Sequence, residues 1–306
     1  KGGSLSAYRA SSAFPKWIGP KEGSEAWKLE REIERKFRVR HAIAVNSGTA
    51  ALHAGLVALN VKGKEVIVTP YSFGASVSSV ILAGGTPVFA DISPYDFCLS
   101  REAVRSCITK KTAAIMQVHL FGYFTPINEM EKEFGLPGVE DACQAAGATR
   151  NGRYAGAAGA VGAISFNGAK QIPAGEGGCV TTNSDKIAER VRYFINHGES
   201  LLQKEVGYNY RIQELVAVVA RHGLRSLEWR NQRRRDLVGK AAGYAFRLKD
   251  PSHVYYVYAM RVDAIPRSEF VKKMKRKGYI IQEGYTQPLH TLPAFQKYVT
   301  RPLPVV

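Results

Sequence analysis

The sequence predicts an α/β protein, with a large domain built on a mostly parallel sheet sandwiched by helices and a smaller C-terminal α+β domain. The 306-residue chain is 45% hydrophobic and 23% charged, which is typical of a globular protein with a large core. Its first two thirds alternate short apolar runs with helical patterns, as a parallel sheet covered on both faces requires. An arginine-rich helical stretch to about residue 248 and a mixed pattern follow. We therefore expect a large domain with an N-terminal arm at 1–220 and a small domain at 221–306.

Six short apolar runs bounded by turn residues indicate buried strands in the large domain. These runs cover 66–69, 87–91, 112–118, 137–141, 162–166 and 178–182. The helical patterns between them cover 49–59, 75–83 and 185–195. In the small domain, 254–262 and 279–281 predict strands, and 268–277 predicts an amphipathic helix that ends at Gly278.

Charge and cysteine content restrict the class of protein. The chain has 43 basic and 26 acidic residues, a formal net charge of +17. This excess is compatible with a nucleic-acid surface, with an anionic partner such as a diphosphate, or with a basic surface of no function. Because the basic residues are scattered and the one dense run is 233–235, no nucleic-acid partner is expected.

The four cysteines form no CxxC pair, so no metal site is expected. The sequence also lacks an apolar run near the roughly 20 residues that cross a bilayer. A cytoplasmic protein without membrane association is therefore the expectation.

Lys170 is the most informative residue of the chain. It lies between two turn signals, NG at 167–168 and PAG at 173–175, among small and apolar neighbours. Burial of a free ammonium is costly, so a lysine in this setting suits Schiff-base formation with a carbonyl. Most lysines are solvated, and the choice between the two interpretations depends on the other motifs.

Asp141 ends an apolar run, at the edge where parallel sheets bind ligands. A carboxylate there can hold the protonated pyridine nitrogen of pyridoxal phosphate (PLP), which keeps the ring an electron sink. An ordinary helix N-cap is an equally good interpretation. Gln144, one turn later, can donate to the phenolate oxygen of the same ring.

The sequence NSGTAAL at 46–52 predicts a strand end, a small-residue turn and a helix start. Gly48 and Thr49 then lie at the positive end of a helix, which suits a phosphate, although Ser and Thr are also common caps. Ser165, five residues before Lys170, can add a hydroxyl. Phe73 can stack on a pyridine ring or belong to the core.

In this order the motifs resemble the DegT-type sugar aminotransferases, which are fold-type I PLP enzymes similar to aspartate aminotransferase. The resemblance runs from about residue 14 to residue 306. It is carried by SGTAAL, TPYSF with AGGTPVFADI, VEDACQAAGA, SFNGAK with GEGG, GYNYR and PLHTLPAF. SFNGAK with GEGG and VEDACQA are the specific segments. The stretches 199–207 and 231–253 are shorter than is usual in this family.

The resemblance implies roles for the matching residues. Lys170 would be the Schiff-base lysine and proton shuttle. The implied cofactor contacts are Gly48, Thr49, Phe73, Asp141, Gln144 and Ser165. Asn209, in GYNYR, would reach the phosphate of the neighbouring subunit's cofactor, which implies a homodimer with shared active sites. Residues expected near the substrate are His119, Arg211, Tyr285 and His290.

The implied function is PLP-dependent amino transfer, with pyridoxamine phosphate as the intermediate cofactor form. Glutamate or glutamine would donate the amino group to a keto sugar, and a nucleotide-linked keto-deoxysugar is the expected acceptor. One branch of the family replaces the lysine by histidine and dehydrates its substrate, so Lys170 favours amino transfer. Two alternatives stay open. One is a keto-cyclitol aminotransferase, and the other, motivated by 233–235, is a non-catalytic regulatory or DNA-binding protein of this fold.

Overall fold

The computed structural model describes residues 19–198, 206–240, 250, 252–259, 262, 264–285 and 287–306. The helices in these residues are α1 Glu25–Phe37, α2 Gly48–Ala58, α3 Ala75–Leu82, α4 Arg101–Cys107, α5 Ile127–Phe134, α6 Asp185–Ile195, α7 Glu214–Arg225, α8 Leu227–Lys240 and α9 Arg267–Arg276. The strands are β1 His41–Val45, β2 Glu65–Val68, β3 Thr86–Phe89, β4 Thr112–Val118, β5 Gly138–Asp141, β6 Thr149–Arg150, β7 Arg153–Tyr154, β8 Val161–Ser165 and β9 Gly178–Thr182. Short 3-10 helices occur at Leu120–Gly122, Leu289–Thr291 and Gln296–Tyr298.

Seven strands form one sheet in the order β1-β9-β8-β5-β4-β2-β3. The neighbours from β8 to β3 are parallel, while β9 is antiparallel to both β1 and β8. The predicted mostly parallel sheet is therefore confirmed. In register, Val118 of β4 lies opposite Asp141 of β5, which lies opposite Ala163 of β8. The chain segments that leave β4, β5 and β8 thus meet at one edge of the sheet.

Helix α2 has apolar residues on nearly all sides because it is packed on all sides. It contacts α3, α6, β8 and β9, and nine of its residues are buried. Gly55 is required by this packing, since a Cβ there would lie 2.5 Å from Cγ1 of Val161. The second half of α2 is thereby held against the start of β8.

A buried ion pair joins the N-terminal helix to α6. Glu30 is 0% and Arg192 is 3% exposed. Arg192 donates to both carboxylate oxygens, at 3.2 and 2.8 Å, and the N–H of Ala44 donates to Oε1 of Glu30 at 3.0 Å. Further hydrogen bonds, such as that from Arg192 to the carbonyl of Ala42 at 3.4 Å, help to offset the cost of burying this charge pair.

The structure tests the predicted elements individually. All six strands predicted in the large domain are found, and each of their ends lies within two residues of its predicted position. The three helices predicted there and α9 are found as well. The strand predicted at 254–262 is wrong for the residues described there. The N–H groups of Val254 and Tyr256 donate instead to the carbonyls of Gly122 and Phe121, at 2.9 and 2.8 Å. The strand predicted at 279–281 is also wrong, because those residues pair with no strand.

The arginine-rich stretch forms two helices, α7 and α8, and its predicted continuation past residue 240 lies outside the described residues. The division at residue 220 stays a prediction. None of the helices in the described part of the chain is long and apolar enough to cross a membrane.

Candidate active site

Asp141 is held in a fixed orientation at the end of β5. It is 6% exposed. Its Oδ2 accepts a hydrogen bond from Oγ of Ser76 at 2.7 Å, and its Oδ1 accepts one from the N–H of Cys143 at 3.2 Å. No α-helix follows Asp141 before α6, so the helix N-cap interpretation is wrong. The carboxylate instead spans the space between α3 and the turn after β5.

The start of α2 forms a cradle with the end of β8. Ser47 caps the helix, since its Oγ accepts from the N–H of Ala50 at 3.0 Å. A Cβ at position 48 would lie 2.9 Å from both Cβ of Ser165 and Sγ of Cys143, so Gly48 is the residue that permits this approach. The N–H groups of Gly48 and Thr49 have no partner among the described residues. These two N–H groups and the Ser165 hydroxyl can bind an anion at the positive end of a helix.

Lys170 lies in the loop between β8 and β9, and hydrogen bonds across this loop hold it. The N–H of Phe166 donates to the carbonyl of Gly177 at 2.9 Å, and the N–H of Lys170 donates to the carbonyl of Asn167 at 2.8 Å. The lysine is half-buried, and its Nζ lies 4.1 Å from the ring centroid of Tyr256.

The charges of Lys170 and Asp141 both affect the pKa of the Cys143 thiol. Burial and the charge of Asp141 raise the pKa of Cys143 well above its usual value, while the charge of Lys170 opposes this rise. Asp141 ends β5, and Lys170 lies in the loop that follows the neighbouring strand β8, so both residues lie at the same edge of the sheet. A common site for the two residues stays a prediction.

Gln144 connects this site to the C-terminal part of the chain. It is 4% exposed. Its Oε1 accepts from the N–H of Phe121 at 2.9 Å, and its Nε2 donates to the hydroxyl of Tyr285 at 2.9 Å. Burial raises the pKa of Tyr285 to about 12, so its phenol stays protonated at neutral pH. Phe121 and Tyr285 have positive φ angles of 57° and 25°, a strained conformation that the hydrogen bonds to Gln144 help to hold.

His119, expected near the substrate, is fully buried and has both ring nitrogens occupied. Its Nδ1 accepts from the N–H of Thr125 at 3.1 Å, so its Nε2 carries the proton that it donates to Oε2 of Glu140 at 2.7 Å. Glu140 also accepts from the N–H groups of Gly156, Ala158 and Gly159. Because no ring nitrogen is left for a ligand, this arrangement favours a structural role for His119.

The other expected residues differ in position. Phe73 is 66% exposed, and Asn209 is exposed as well. Arg211 is half-buried and donates to Oδ1 of Asn196 at 2.5 Å. The ring of His290 packs edge-on against Phe89 of β3, with a centroid distance of 6.2 Å. Since β3 is three strands from β5 in the sheet, His290 lies apart from Asp141.

The sequence matches the DegT/DnrJ/EryC1/StrS aminotransferase family over residues 14–305. The chain belongs to this family.

Three similar proteins illustrate the match. The pleiotropic regulatory protein of Geobacillus stearothermophilus is 34% identical over 291 residues, which cover 89% of this chain and 78% of that protein. GDP-perosamine synthase of Caulobacter vibrioides is 34% identical over 299 residues, covering 90% and 80%. The crystal structure of DesV from S. venezuelae, in complex with a ketimine intermediate, is 32% identical with a TM-score of 0.85, covering 92% of this chain and 81% of that one.

This chain is therefore a PLP-dependent aminotransferase, and PLP and pyridoxamine phosphate are its cofactor forms. The residues present fit such a cofactor. The close approach that Gly48 permits brings the Ser165 hydroxyl beside the unpaired N–H groups of α2, which suits the phosphate. The buried carboxylate of Asp141 suits the ring nitrogen. The amine of Lys170 lies on the same edge of the sheet.

Two residues of the site were missed in the sequence. Ser76 is fully buried and donates to Asp141. Its signal was a hydroxyl near the start of a helix that follows a parallel strand, the edge where ligands bind. Tyr256, which faces the amine of Lys170, lies in a Tyr-rich run that resembles a strand and carries no other local signal.

Proposed function

We propose that this aminotransferase transfers the amino group of glutamate to a nucleotide-linked keto sugar. The observation that carries the proposal is the position of Asp141 at the end of β5 and of Lys170 in the loop after the neighbouring strand β8, since one supplies a fixed carboxylate and the other an amine. The names of similar proteins support the acceptor class, because they describe GDP- and dTDP-linked amino sugars. The net charge of +17 suits a diphosphate.

Each residue then has a chemical task. Bound PLP supplies an aldehyde for amines and a ring that takes up the electron pair left on the substrate carbon. Nζ of Lys170 would hold the cofactor aldehyde in the resting protein, and would then carry the proton from the substrate carbon to the cofactor side. Asp141, oriented by Ser76, keeps the proton on the ring nitrogen. Gln144 has one Nε2 proton without a partner among the described residues, and this proton is available to the phenolate oxygen.

The remaining tasks concern the phosphate, the ring face and the substrate. Gly48, Thr49 and Ser165 would bind the phosphate, and Phe73 would cover the ring. Its exposed fraction of 66% leaves the aromatic face free for this contact. Arg211 and Tyr285 remain the proposed substrate contacts, whereas the positions of His119 and His290 make them weaker candidates.

We also propose a homodimer in which Asn209 reaches the phosphate in the partner subunit. Helix α7 buries Ala217, Ala220 and Leu224 but exposes 73% of Leu215, 48% of Val218 and 49% of Val219. An apolar stripe of this kind on a helix is typical of an interface. Sedimentation equilibrium is expected to give twice the chain mass. Leu215→Glu should dissociate this dimer, whereas the control Leu237→Glu, at the 51% exposed Leu237 of α8, should not.

The acceptor is tested by incubating the protein with glutamate and a panel of nucleotide-linked keto sugars, while 2-oxoglutarate is measured. A nucleotide-linked keto sugar is expected to react. Reaction of keto-cyclitols alone would establish the aminocyclitol alternative. A parallel panel with glutamine in place of glutamate identifies the donor.

A non-catalytic regulator is the second candidate, since one similar protein is named a pleiotropic regulatory protein. An absorbance scan with added PLP separates the two. A visible chromophore that borohydride reduces, and that is lost in Lys170→Ala, supports catalysis. Its absence from the native protein would support the regulatory role.

We expect this reaction to take place in the cytoplasm. All four cysteines are free thiols, as is usual in a reducing compartment. Localisation of a tagged full-length protein tests this expectation.

A further inference from the structure

Two buried serines form a row behind the carboxylate of Asp141. Ser72 precedes α3, and Ser76 is the second residue of that helix. The Oγ atoms of the two serines are 3.1 Å apart, and Oγ of Ser76 lies 2.7 Å from Oδ2 of Asp141. All three side chains are buried. The row therefore continues from the carboxylate through one hydroxyl to another.

The carboxylate determines the direction of both hydrogen bonds in this row. An ionised carboxylate only accepts hydrogen bonds, and a serine hydroxyl has a single proton to donate. Ser76 gives its proton to Asp141, so its Oγ can serve Ser72 only as an acceptor. The hydroxyl of Ser72 must therefore donate to Oγ of Ser76. Ser72, Ser76 and Asp141 thus form a serine relay in which both hydroxyl protons point toward the carboxylate.

Asp141 has no cation beside it in the part of the chain that the structure describes, since no basic side chain forms an ion pair with it there. Burial, with a smaller part from the charge of Asp141, raises the pKa of Cys143 well above its usual value and that of Tyr285 to about 12. Both groups are therefore neutral at neutral pH and supply no positive charge. A buried carboxylate without a cation depends on the hydrogen bonds that it accepts, here from Ser76 and from the N–H of Cys143.

We propose that the serine relay keeps the proton shared between Asp141 and the ring nitrogen of PLP on the nitrogen. Hydrogen bonds donated to a carboxylate stabilise its ionised form. A hydroxyl that accepts one hydrogen bond is polarised and donates the next one more strongly. Ser76 is then a positioning residue that acts on the carboxylate, and Ser72 is one that acts through Ser76. The ring nitrogen keeps its N–H bond, and the carboxylate remains an anion.

This inference rests on the proposed role of Asp141 at the ring nitrogen and adds two residues to it. It depends on neither the amino donor nor the keto acceptor. The position of the shared proton can therefore be measured in the resting protein, without turnover.

Nitrogen-15 NMR of the full-length protein loaded with ring-labelled PLP tests the relay, because the chemical shift of a pyridine nitrogen reports how closely it holds a proton. Ser76→Ala removes the donor to Asp141 and should move the signal toward the value of neutral pyridine. Ser72→Ala leaves that donor in place and should move the signal in the same direction by less. Ser79→Ala is the matched control and should leave the signal unchanged, since Ser79 is equally buried on α3 but donates to a backbone carbonyl at 3.0 Å.

The half-reaction with glutamate, which bleaches the visible absorbance of the loaded protein, provides a second readout. Its rate should fall by about 10-fold in Ser76→Ala, since a hydrogen bond to a charged group has about that value. The fall in Ser72→Ala should be about 2- to 4-fold, because only the polarisation of the Ser76 hydroxyl is lost. Circular dichroism checks that both variants fold.

Asp141→Asn, measured in the same way, separates failure of the relay from failure of the role of Asp141. It should move the nitrogen signal further than Ser76→Ala does. An unchanged signal in Asp141→Asn would remove the role of Asp141 and the relay with it. A changed signal in Asp141→Asn, together with native signals in Ser76→Ala and Ser72→Ala, would overturn the relay alone. A protein that transfers no amino group to a keto sugar still gives this signal, so the proposed acceptor fails or stands separately.

Discussion

The two sides of Lys170 are built in different ways. On one side, Asp141 and Ser165 end neighbouring strands of a parallel sheet, and the ladder bonds and Ser76 hold them from several directions. On the other side, Tyr256 and Tyr285 belong to irregular chain, where single hydrogen bonds to Phe121 and Gln144 hold them. Strands that are hydrogen-bonded in a sheet move only together, whereas an irregular segment can move after a few hydrogen bonds break. We therefore expect changes on the sheet side to affect cofactor and fold, and changes on the irregular side to affect the acceptor.

Lys170→Ala should have the largest effect, because it removes the amine shared by both sides. We expect both half-reactions to fall by about 10⁴-fold, since the general base is lost along with the covalent attachment. Stopped-flow absorbance measures each half-reaction, and intact mass after borohydride measures the adduct. Lys170→Arg is the control that keeps the charge, and activity retained in it would contradict the role of the amine.

Arg192→Met tests the fold on the sheet side without touching the site. It leaves Glu30 buried without its cation, which should lower the free energy of unfolding by about 3 to 5 kcal/mol. The matched control is Arg40→Met, which removes the exposed pair with Asp185 (N–O distance 2.8 Å) and should cost less than about 1 kcal/mol. Urea unfolding followed by circular dichroism measures both values. Equal costs in the two variants would show that burial of the pair does not matter.

Asp141→Asn should weaken the cofactor chemistry in both half-reactions. The amide cannot hold the positive charge of the ring nitrogen, so we expect a loss of about 10²- to 10³-fold in rate, the size seen when one preorganised electrostatic contact is removed. Asp91→Asn is the control, since Asp91 also follows a parallel strand but accepts from the N–H groups of Ile92 and Val305. A loss confined to the acceptor half-reaction would contradict the role of Asp141.

Tyr285→Phe should have the smallest effect of these variants, and it tests whether the irregular side of Lys170 affects only the acceptor. It removes one hydrogen bond to Gln144 on the irregular side, so we expect about a tenfold loss in kcat/KM for the acceptor with the cofactor spectrum unchanged. Tyr71→Phe is the control, because the Tyr71 ring contacts Tyr285 at 5.5 Å while its hydroxyl has no hydrogen bond with the described residues. A lower PLP affinity in Tyr285→Phe would place Tyr285 on the cofactor side instead.

Sequence patterns predicted the structure correctly where a residue's environment is set by its neighbours along the chain. The strand at 112–118 was predicted with its final bounds because a run buried on both faces is mostly apolar. Lys170 stood out because its neighbours are small and its loop is marked by turn residues. The strand predicted at 254–262 was wrong because a run rich in Tyr and Val favours a strand, yet a strand needs a partner strand. The described residues there donate hydrogen bonds to the carbonyls of Phe121 and Gly122 instead.

By itself, the sequence determined six strands of the sheet and the family, and it singled out the lysine and the carboxylate that we propose for the chemistry, because these follow from hydrophobic periodicity and local motifs. Only the tertiary structure decided that Ser76 orients Asp141 and that Glu140 accepts the hydrogen bond from Nε2 of His119. It also decided that Gln144 joins Phe121 to Tyr285. These contacts join residues 21 to 141 positions apart in the chain. Hydrogen bonds over such distances depend on how the sheet edge packs, which no local pattern encodes.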